Sequence, residues 1–177
     1  MSFRLLILFI LMLWVQIATA EDEGMSNYRL GAGDTISISV YDEKELGIDK
    51  IRLSDAGTIS FPMMGEIKVS GMTVSALEST MVDGLKKYLV NPKVTVSIDQ
   101  YRDFFVSGQV YKPGNYPYQP GLTVLKAVAI AGGFKDRASK TQVTVIHEGD
   151  ENRPSVKVDL STLVKPGDII NVDESFF

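Results

Sequence analysis

The chain has 177 residues, a formal net charge of −4, 45% hydrophobic residues, no cysteine and one histidine. The lack of cysteine excludes a disulfide framework, a Cys-based metal site and lipidation at a cysteine. An acidic chain without a Lys/Arg cluster is also a poor candidate for binding nucleic acid. A single imidazole offers little for acid–base catalysis, so the composition favours a binding or assembly protein that is held by its hydrophobic core.

The first 20 residues have the layout of a secretory signal peptide. Arg4 supplies a positive charge, residues 5–15 are continuously apolar, and the small residues 18–20 precede an acidic segment. Cleavage is therefore expected between Ala20 and Glu21. The alternative is a membrane anchor, but a spanning helix needs about 20 apolar residues. The shorter run favours cleavage and export.

The first half of the remaining chain predicts several strands and one helix. Ile36, Ile38 and Val40 alternate with polar residues, as in a half-buried strand. A turn at residues 55–57 predicts a hairpin between the second and third strands, and Pro62 ends the third strand. The predicted strands are residues 35–41, 51–53, 58–61, 65–69 and 94–98.

A helix is expected to begin at Thr73, whose hydroxyl can cap the first turn, or two residues later at a Ser75–Glu78 capping box. Gly84 weakens this helix, and Asn91–Pro92 stops it. Its apolar face is formed by Val74, Leu77, Met81, Leu85 and Tyr88.

The second half repeats this order. A second helix starts at Thr123 and ends at Gly132–Gly133, and a polar loop at 147–154 predicts a hairpin. Gly167–Asp168 precedes an alternating strand, as Gly33–Asp34 does. These echoes indicate a diverged repeat of hairpin, capped helix and strand, although each motif is also common by itself.

The predicted fold class is α+β, with two small domains that each combine a mainly antiparallel or mixed sheet with one main helix. The predicted domains are residues 26–100 and residues 101–177.

Candidate catalytic groups are weak in this sequence. The acidic runs at 42–45 and 148–151 look solvated, whereas acid–base pairs need carboxylates in unlike environments. Glycines 31 and 33 precede a strand instead of a helix, which argues against a phosphate loop. His147 lies among acids and is expected to be a surface histidine. No cofactor, metal or catalytic residue is predicted, and an enzyme such as a glycosidase or lyase is the third-ranked hypothesis.

The aromatic residues are stronger candidates for binding. Tyr111, Tyr116 and Tyr118 are candidate contacts for a glycan or a neighbouring subunit, because tyrosine combines an aromatic face with a polar hydroxyl. The alternative for each is packing at an edge of the core.

The ordered motifs resemble the outer-membrane polysaccharide export proteins, the Wza-type translocon subunits of bacteria. Residues 28–34, 55–59, 69–73 and 91–94 resemble the polysaccharide-export domain, and residues from 106 to 170 resemble the soluble-ligand-binding β-grasp (SLBB) domain. The motif residues, which the resemblance gives a structural role, are Gly33, Asp34, Asp55, Gly57, Pro62, Gly65, Gly71, Thr73, Pro92, Gly108, Pro113, Gly114, Gly121, Gly132, Gly133, Gly167 and Asp168.

The resemblance implies a non-catalytic periplasmic subunit of a capsule or exopolysaccharide export translocon. It implies a homo-oligomeric ring around the nascent polysaccharide and contact with an inner-membrane chain-length copolymerase/kinase. A chain that ends at Phe177 with one SLBB domain resembles the short class of the family, for which we expect a separate outer-membrane protein as partner. The alternative function is a soluble periplasmic glycan-binding or scaffolding module that forms no pore.

Overall fold

The computed structural model describes residues 27–149 and 154–175, so the predicted signal peptide lies outside it. The fold is α+β with two small domains, which confirms the predicted fold class. Its strands are β1 (Thr35–Val40), β2 (Ile48–Arg52), β3 (Thr58–Phe61), β4 (Gly65–Lys68), β5 (Val94–Gln100), β6 (Phe104–Gly108), β7 (Gly114–Tyr116), β8 (Ala138–Ile146), β9 (Val156–Val158) and β10 (Ile169–Glu174). Its helices are α1 (Val74–Leu85) and α2 (Val124–Ile130).

The first domain contains an antiparallel sheet of order β2-β1-β5 and a separate β3–β4 hairpin. Ile36, Ile38 and Val40 are buried, as the alternating pattern predicts. Helix α1 contributes Leu77, Met81 and Leu85 to the same core. The buried residues Ile59, Phe61 and Ile67 of the β3–β4 hairpin belong to this core as well. Hydrophobic burial between the sheet, the hairpin and α1 therefore holds the domain together.

Helix α1 begins at Val74 and is capped by Thr73, whose hydroxyl accepts a hydrogen bond from the Ala76 N–H at 3.2 Å. The prediction of a cap at Thr73 is confirmed, and the alternative start at Ser75 is wrong. Tyr88 lies beyond the helix and is exposed, in contrast to its predicted place on the apolar face. Gly84 packs against Met64: the flexible end of the Met64 side chain lies where a Cβ would be.

The predicted hairpin between the second and third strands is wrong. Strand β2 pairs with β1, and backbone bonds between Leu53 and both Gly33 and Asp34 hold the end of β2 beside the start of β1. Gly57 (φ 67°) turns the chain away from β2. Its carbonyl accepts hydrogen bonds from the backbone N–H groups of residues 69 and 70. Strand β3 therefore pairs with β4 around Pro62.

The second domain is a five-stranded mixed sheet of order β7-β6-β10-β8-β9. Strand β10 runs parallel to β6 and antiparallel to β8. Helix α2 is capped by Thr123 and packs on one face of the sheet, where Phe104, Val106 and Ile170 are buried. Strands β8 and β9 pair on either side of the predicted hairpin loop.

The order of hairpin, capped helix and strand occurs in both domains, but the sheets differ. The β3–β4 hairpin forms a sheet of its own, whereas the β6–β7 hairpin joins β10 in the larger sheet. Within residues 27–149 and 154–175, neither helix has the length and apolar content needed to cross a bilayer.

A candidate functional site between the two domains

The first part of the site is a Gly–Asp turn at the start of β1. Gly33 has a φ of 92°, a conformation that favours glycine, and Asp34 is completely buried. The Asp34 carboxylate accepts hydrogen bonds from the Gly31 N–H at 2.8 Å and from the Tyr28 hydroxyl at 2.7 Å. A buried carboxylate requires such donors, because burial without partners is costly.

Arg102, in the connection between β5 and β6, supplies the charge that balances Asp34. Its backbone N–H donates to Asp34 Oδ1 at 2.8 Å, and its guanidinium Nη1 lies 3.2 Å from Asp34 Oδ2. The same Nη1 donates to the Tyr28 hydroxyl at 2.5 Å. Backbone and side chain of one residue therefore fix Asp34 at the domain boundary.

A second Gly–Asp turn precedes β10 in the other domain. Gly167 has a φ of 85°, and Asp168 is 1% exposed. The Lys165 N–H donates to Asp168 Oδ2 at 2.7 Å, and His147 Nδ1 lies 2.8 Å from Asp168 Oδ1. His147 is thus a half-buried partner of Asp168 whose side chain still reaches the surface; its contact with Asp168 was not predicted.

Arg102 also connects the two turns. Its Nε pairs with the Glu148 carboxylate, and Glu148 adjoins His147 in the chain. The Glu148 side chain lies against Gly167 and leaves no room for a Cβ there. One guanidinium therefore joins Asp34 and Tyr28 of the first domain to Glu148 of the second.

Three tyrosine rings extend the contact between the domains. The ring centroids of Tyr28 and Tyr101 are 5.0 Å apart and edge-to-face, and those of Tyr101 and Tyr118 are 5.5 Å apart in the same geometry. Such pairs add stability beyond the area that they bury. The interdomain cluster, as named hereafter, comprises Tyr28, Asp34, Tyr101, Arg102, Tyr118, His147, Glu148 and Asp168.

Burial is the largest single influence on the pKa values of Tyr28, Arg102 and Asp168. Burial, followed by the hydrogen bond to Asp34, raises the pKa of the Tyr28 hydroxyl well above its usual range. Burial raises the pKa of Asp168, and the Lys165 N–H and His147 oppose that rise. Burial lowers the pKa of Arg102, but Tyr28, Asp34 and Glu148 outweigh it, so the net shift is upward. Burial together with these partners is typical of charged groups that are held in fixed positions.

A small recess lies next to the cluster on the second domain. It has a volume of about 130 Å³ and is lined by Phe105, Ile146, His147, Glu148, Gly167 and Ile169. Ligand pockets are typically about 300–1,000 Å³, so the recess is large enough for only a small group. Among residues 27–149 and 154–175, no group of three His, Asp or Glu side chains could hold a metal ion.

The three tyrosines predicted as contacts have different environments. Tyr111 is 57% exposed, whereas Tyr116 is half-buried and donates its hydroxyl to the Lys112 carbonyl. Tyr118 is only 8% exposed and packs on Tyr101, so it offers no open face to a glycan or a neighbour. The prediction for Tyr118 is corrected to a packing role in the interdomain cluster.

The motif residues lie mainly at turns, with Asp34 and Asp168 alone in the cluster. Asp55 and Pro62 lie in connections, Thr73 caps α1, Pro92 follows Asn91 (φ 55°), and Pro113 precedes Gly114 in β7. The motif glycines with positive φ are Gly33, Gly57, Gly65, Gly71, Gly108, Gly121, Gly132, Gly133 and Gly167. Sequence reasoning missed the role of Arg102, placed Glu148 in a solvated acidic run and favoured a core position for Phe105, which is 46% exposed. The Gly–Asp echo marked both aspartates but gave no sign of their partners.

Two family models match the chain in sequence order. The model for polysaccharide biosynthesis/export proteins matches residues 22–99, and the SLBB domain model matches residues 104–159. The chain therefore carries a polysaccharide biosynthesis/export domain followed by an SLBB domain. Tyr101 and Arg102 fall in the connection between the two matched segments, so this connection supplies the central residue of the interdomain cluster.

The names of similar proteins agree with the first of these family models. The chain is 33% identical to the exopolysaccharide production protein ExoF of Rhizobium meliloti, over 61% of this chain and 28% of ExoF. It is 27% identical to the EPS I polysaccharide export outer membrane protein EpsA of Ralstonia solanacearum, over 82% of this chain and 48% of EpsA. It is 31% identical to the capsule polysaccharide export outer membrane protein CtrA of Neisseria meningitidis, over 66% of this chain and 32% of CtrA. The chain thus spans less than half the length of these relatives.

Proposed function

We propose that the protein is a non-catalytic periplasmic subunit of a capsule or exopolysaccharide export translocon, associated with the outer membrane through its partners. The observation that carries this proposal is the order of the two domains, an export domain followed by an SLBB domain. The names of EpsA and CtrA, export proteins of the outer membrane, support it. In this proposal the subunits form a ring around the passing polysaccharide.

Exposed apolar side chains on both domains support self-association. Tyr41 and Val90, near one end of the first domain's sheet, are 70% and 101% exposed. Leu125 and Leu163 are exposed on the second domain. Exposed apolar groups and open strand edges, such as β7 and β9, are typical of surfaces that associate with other chains.

The two fully buried carboxylates of the cluster support a role without catalysis. Asp34 accepts bonds from Tyr28 and Arg102, and Asp168 accepts a bond from the Lys165 N–H and pairs with His147. A general acid or base must instead meet the reacting group of a substrate. We further propose an inner-membrane chain-length copolymerase/kinase and a separate outer-membrane protein as partners of the ring.

Deletion of the gene tests the export role. The expected result is loss of surface polysaccharide, with restoration by the wild-type chain supplied in trans. Native mass spectrometry of the exported protein tests the ring, for which a closed oligomer is expected. Unchanged surface polysaccharide in the deletion strain would contradict the export role.

The second candidate is a glycan-binding or scaffolding module that forms no pore, and the recess beside Phe105 favours it. A protein that remains monomeric at high concentration in native mass spectrometry, while its deletion still reduces export, would support this second function over the ring.

A further inference from the structure

We infer that the recess beside Phe105 is a subsite for one sugar ring of a neutral or cationic glycan. The juxtaposition that carries this inference is an exposed aromatic ring in an apolar strip with a fixed imidazole and a fixed carboxylate at the end of that strip. The inference rests on the proposed function, because it names the class of glycan that this surface accepts.

The apolar strip runs across three neighbouring strands. Ile169 of β10 is in register with Phe105 of β6 on one side and with Ile146 of β8 on the other. The opposite face of the same strands is covered by α2, whereas Phe105 is 46% exposed. An exposed aromatic ring in an apolar strip can stack on the C–H face of a pyranose.

The polar end of the recess is held in place by the interdomain cluster. Arg102 fixes the Glu148 carboxylate, and Asp168 fixes His147 through Nδ1 at 2.8 Å. Imidazole carries a second hydrogen-bonding nitrogen, and a carboxylate has several acceptor sites, so both residues can meet sugar hydroxyls. Because the side chains are fixed before a ligand arrives, binding requires little additional ordering.

The size and charge of the site restrict the ligand. A volume of about 130 Å³ corresponds to roughly four water molecules, so the recess admits only the groups at one edge of a single sugar ring that lies on the strip. The carboxylates of the adjoining cluster are Glu148, Asp168 and Asp34, and the cations that interact with them are Arg102 and Lys165. The excess of negative charge disfavours uronate and sulfated sugars and tolerates neutral or amino sugars.

A second copy of the chain is the competing occupant. Three apolar side chains bordered by polar ones form a smaller surface than the roughly 800 Å² per partner of a stable protein interface. The row beyond the strip is polar, with Ser107, Asn171 and Thr144 in register. The dimensions of the strip therefore fit a sugar ring better than a subunit.

The test is a titration of the purified protein, followed through its backbone amide resonances. The probes are a neutral β-linked glucose oligosaccharide, a glucosamine oligosaccharide and a galacturonate oligosaccharide. With the first two, saturable shifts are expected at Phe105, Ile146, Gly167 and Ile169. Galacturonate is expected to leave these resonances unchanged.

Two variants and a matched control sharpen the test. Phe105→Ala is expected to weaken binding of the neutral oligosaccharide about fivefold, the value of one aromatic stacking contact. Glu148→Gln is expected to weaken glucosamine binding more than glucose binding, because it removes a charge and keeps the shape. Leu125→Ala removes a similarly exposed apolar side chain (52% exposed, against 46% for Phe105) on the helix side of the sheet and is expected to change binding of neither oligosaccharide.

Three outcomes would overturn the inference: no saturable shift with any probe, tighter binding of galacturonate, or shifts at these amides that depend on protein concentration alone. The last would assign the strip to a second copy. If the gene deletion abolishes export while the purified protein binds none of the probes, only the subsite inference fails. If export survives the deletion, the proposed function fails regardless of binding.

Discussion

The two Gly–Asp turns share a local structure but differ in the group that faces the aspartate. In both, a glycine with positive φ precedes a buried aspartate that accepts the amide of the residue three positions earlier. Asp34 meets a guanidinium, which is permanently charged, and Asp168 meets an imidazole, which is not. The comparison teaches that the turn is the repeated element, whereas the partner determines what each turn holds together.

The largest expected loss of stability comes from removing the guanidinium of Arg102. Arg102→Ala leaves Asp34 buried without its cation and separates Glu148 from the first domain. A loss of roughly 3 kcal/mol in unfolding free energy is expected, the lower end for breaking a buried pair, because the backbone N–H and Tyr28 remain. Urea unfolding measures it.

The matched variant in the second domain is His147→Ala. Asp168 keeps the Lys165 N–H, so a loss of about 1–2 kcal/mol is expected, less than for Arg102→Ala. Arg102→Lys, which keeps the charge but not the two-sided geometry, is expected to fall between wild type and Arg102→Ala. Equal losses for Arg102→Ala and His147→Ala would contradict the difference drawn between the turns.

The role of Tyr28 in the first turn can be measured through the dependence of stability on alkaline pH. The raised pKa means that the folded state keeps Tyr28 protonated after the unfolded state has begun to ionise near pH 10. The unfolded state then binds fewer protons, so stability falls as pH rises through 10, with a slope that approaches about 1.4 kcal/mol per unit from this one group as the unfolded tyrosine becomes fully ionised. Below pH 10 the phenol is protonated in both states and adds no pH dependence.

The comparison variant for this prediction is Tyr28→Phe, which keeps the ring contact with Tyr101 and loses the hydroxyl. Its unfolding free energy should fall less steeply between pH 10 and 11 than that of wild type. Denaturant unfolding at several alkaline pH values measures both slopes, and identical slopes would show that Tyr28 ionises normally in the folded protein.

The smallest expected effects come from the helix caps, which the two domains also share. Thr73 accepts the Ala76 amide at 3.2 Å, and Thr123 accepts the Lys126 amide at 3.4 Å. Thr73→Ala is expected to cost about 1 kcal/mol and Thr123→Ala about 0.5 kcal/mol, because the second bond is longer. Thermal unfolding of both variants, with the two Thr→Ser variants as controls, tests the order.

Local features of the fold were predictable, and long-range pairings were less so. The alternation at Ile36, Ile38 and Val40 and the cap at Thr73 are encoded within a few residues, and both are confirmed. The pairing of β2 depends on backbone bonds from Leu53 to residues near β1, which no turn motif reveals. The predicted hairpin failed for that reason.

The candidate site illustrates the same limit. A Gly–Asp motif marks Asp34 and Asp168, but Arg102 is 68 residues from Asp34 in the chain, so spacing gives no reason to pair them. Tyr118 looks like an exposed loop aromatic until the packing of Tyr101 covers it. Contacts between domains depend on the arrangement of both, which a local pattern does not contain.

The position of Arg102 in the connection has a consequence for assembly. Because one connector residue contacts both domains, the angle between them is set within a few residues of chain. In a closed ring each subunit turns the next by the same amount, so an error in that angle is repeated at every step until the last subunit no longer meets the first. If the proposed ring forms, we expect that lengthening this connector by a single glycine would leave both hydrophobic cores intact and give an open spiral in place of the closed ring.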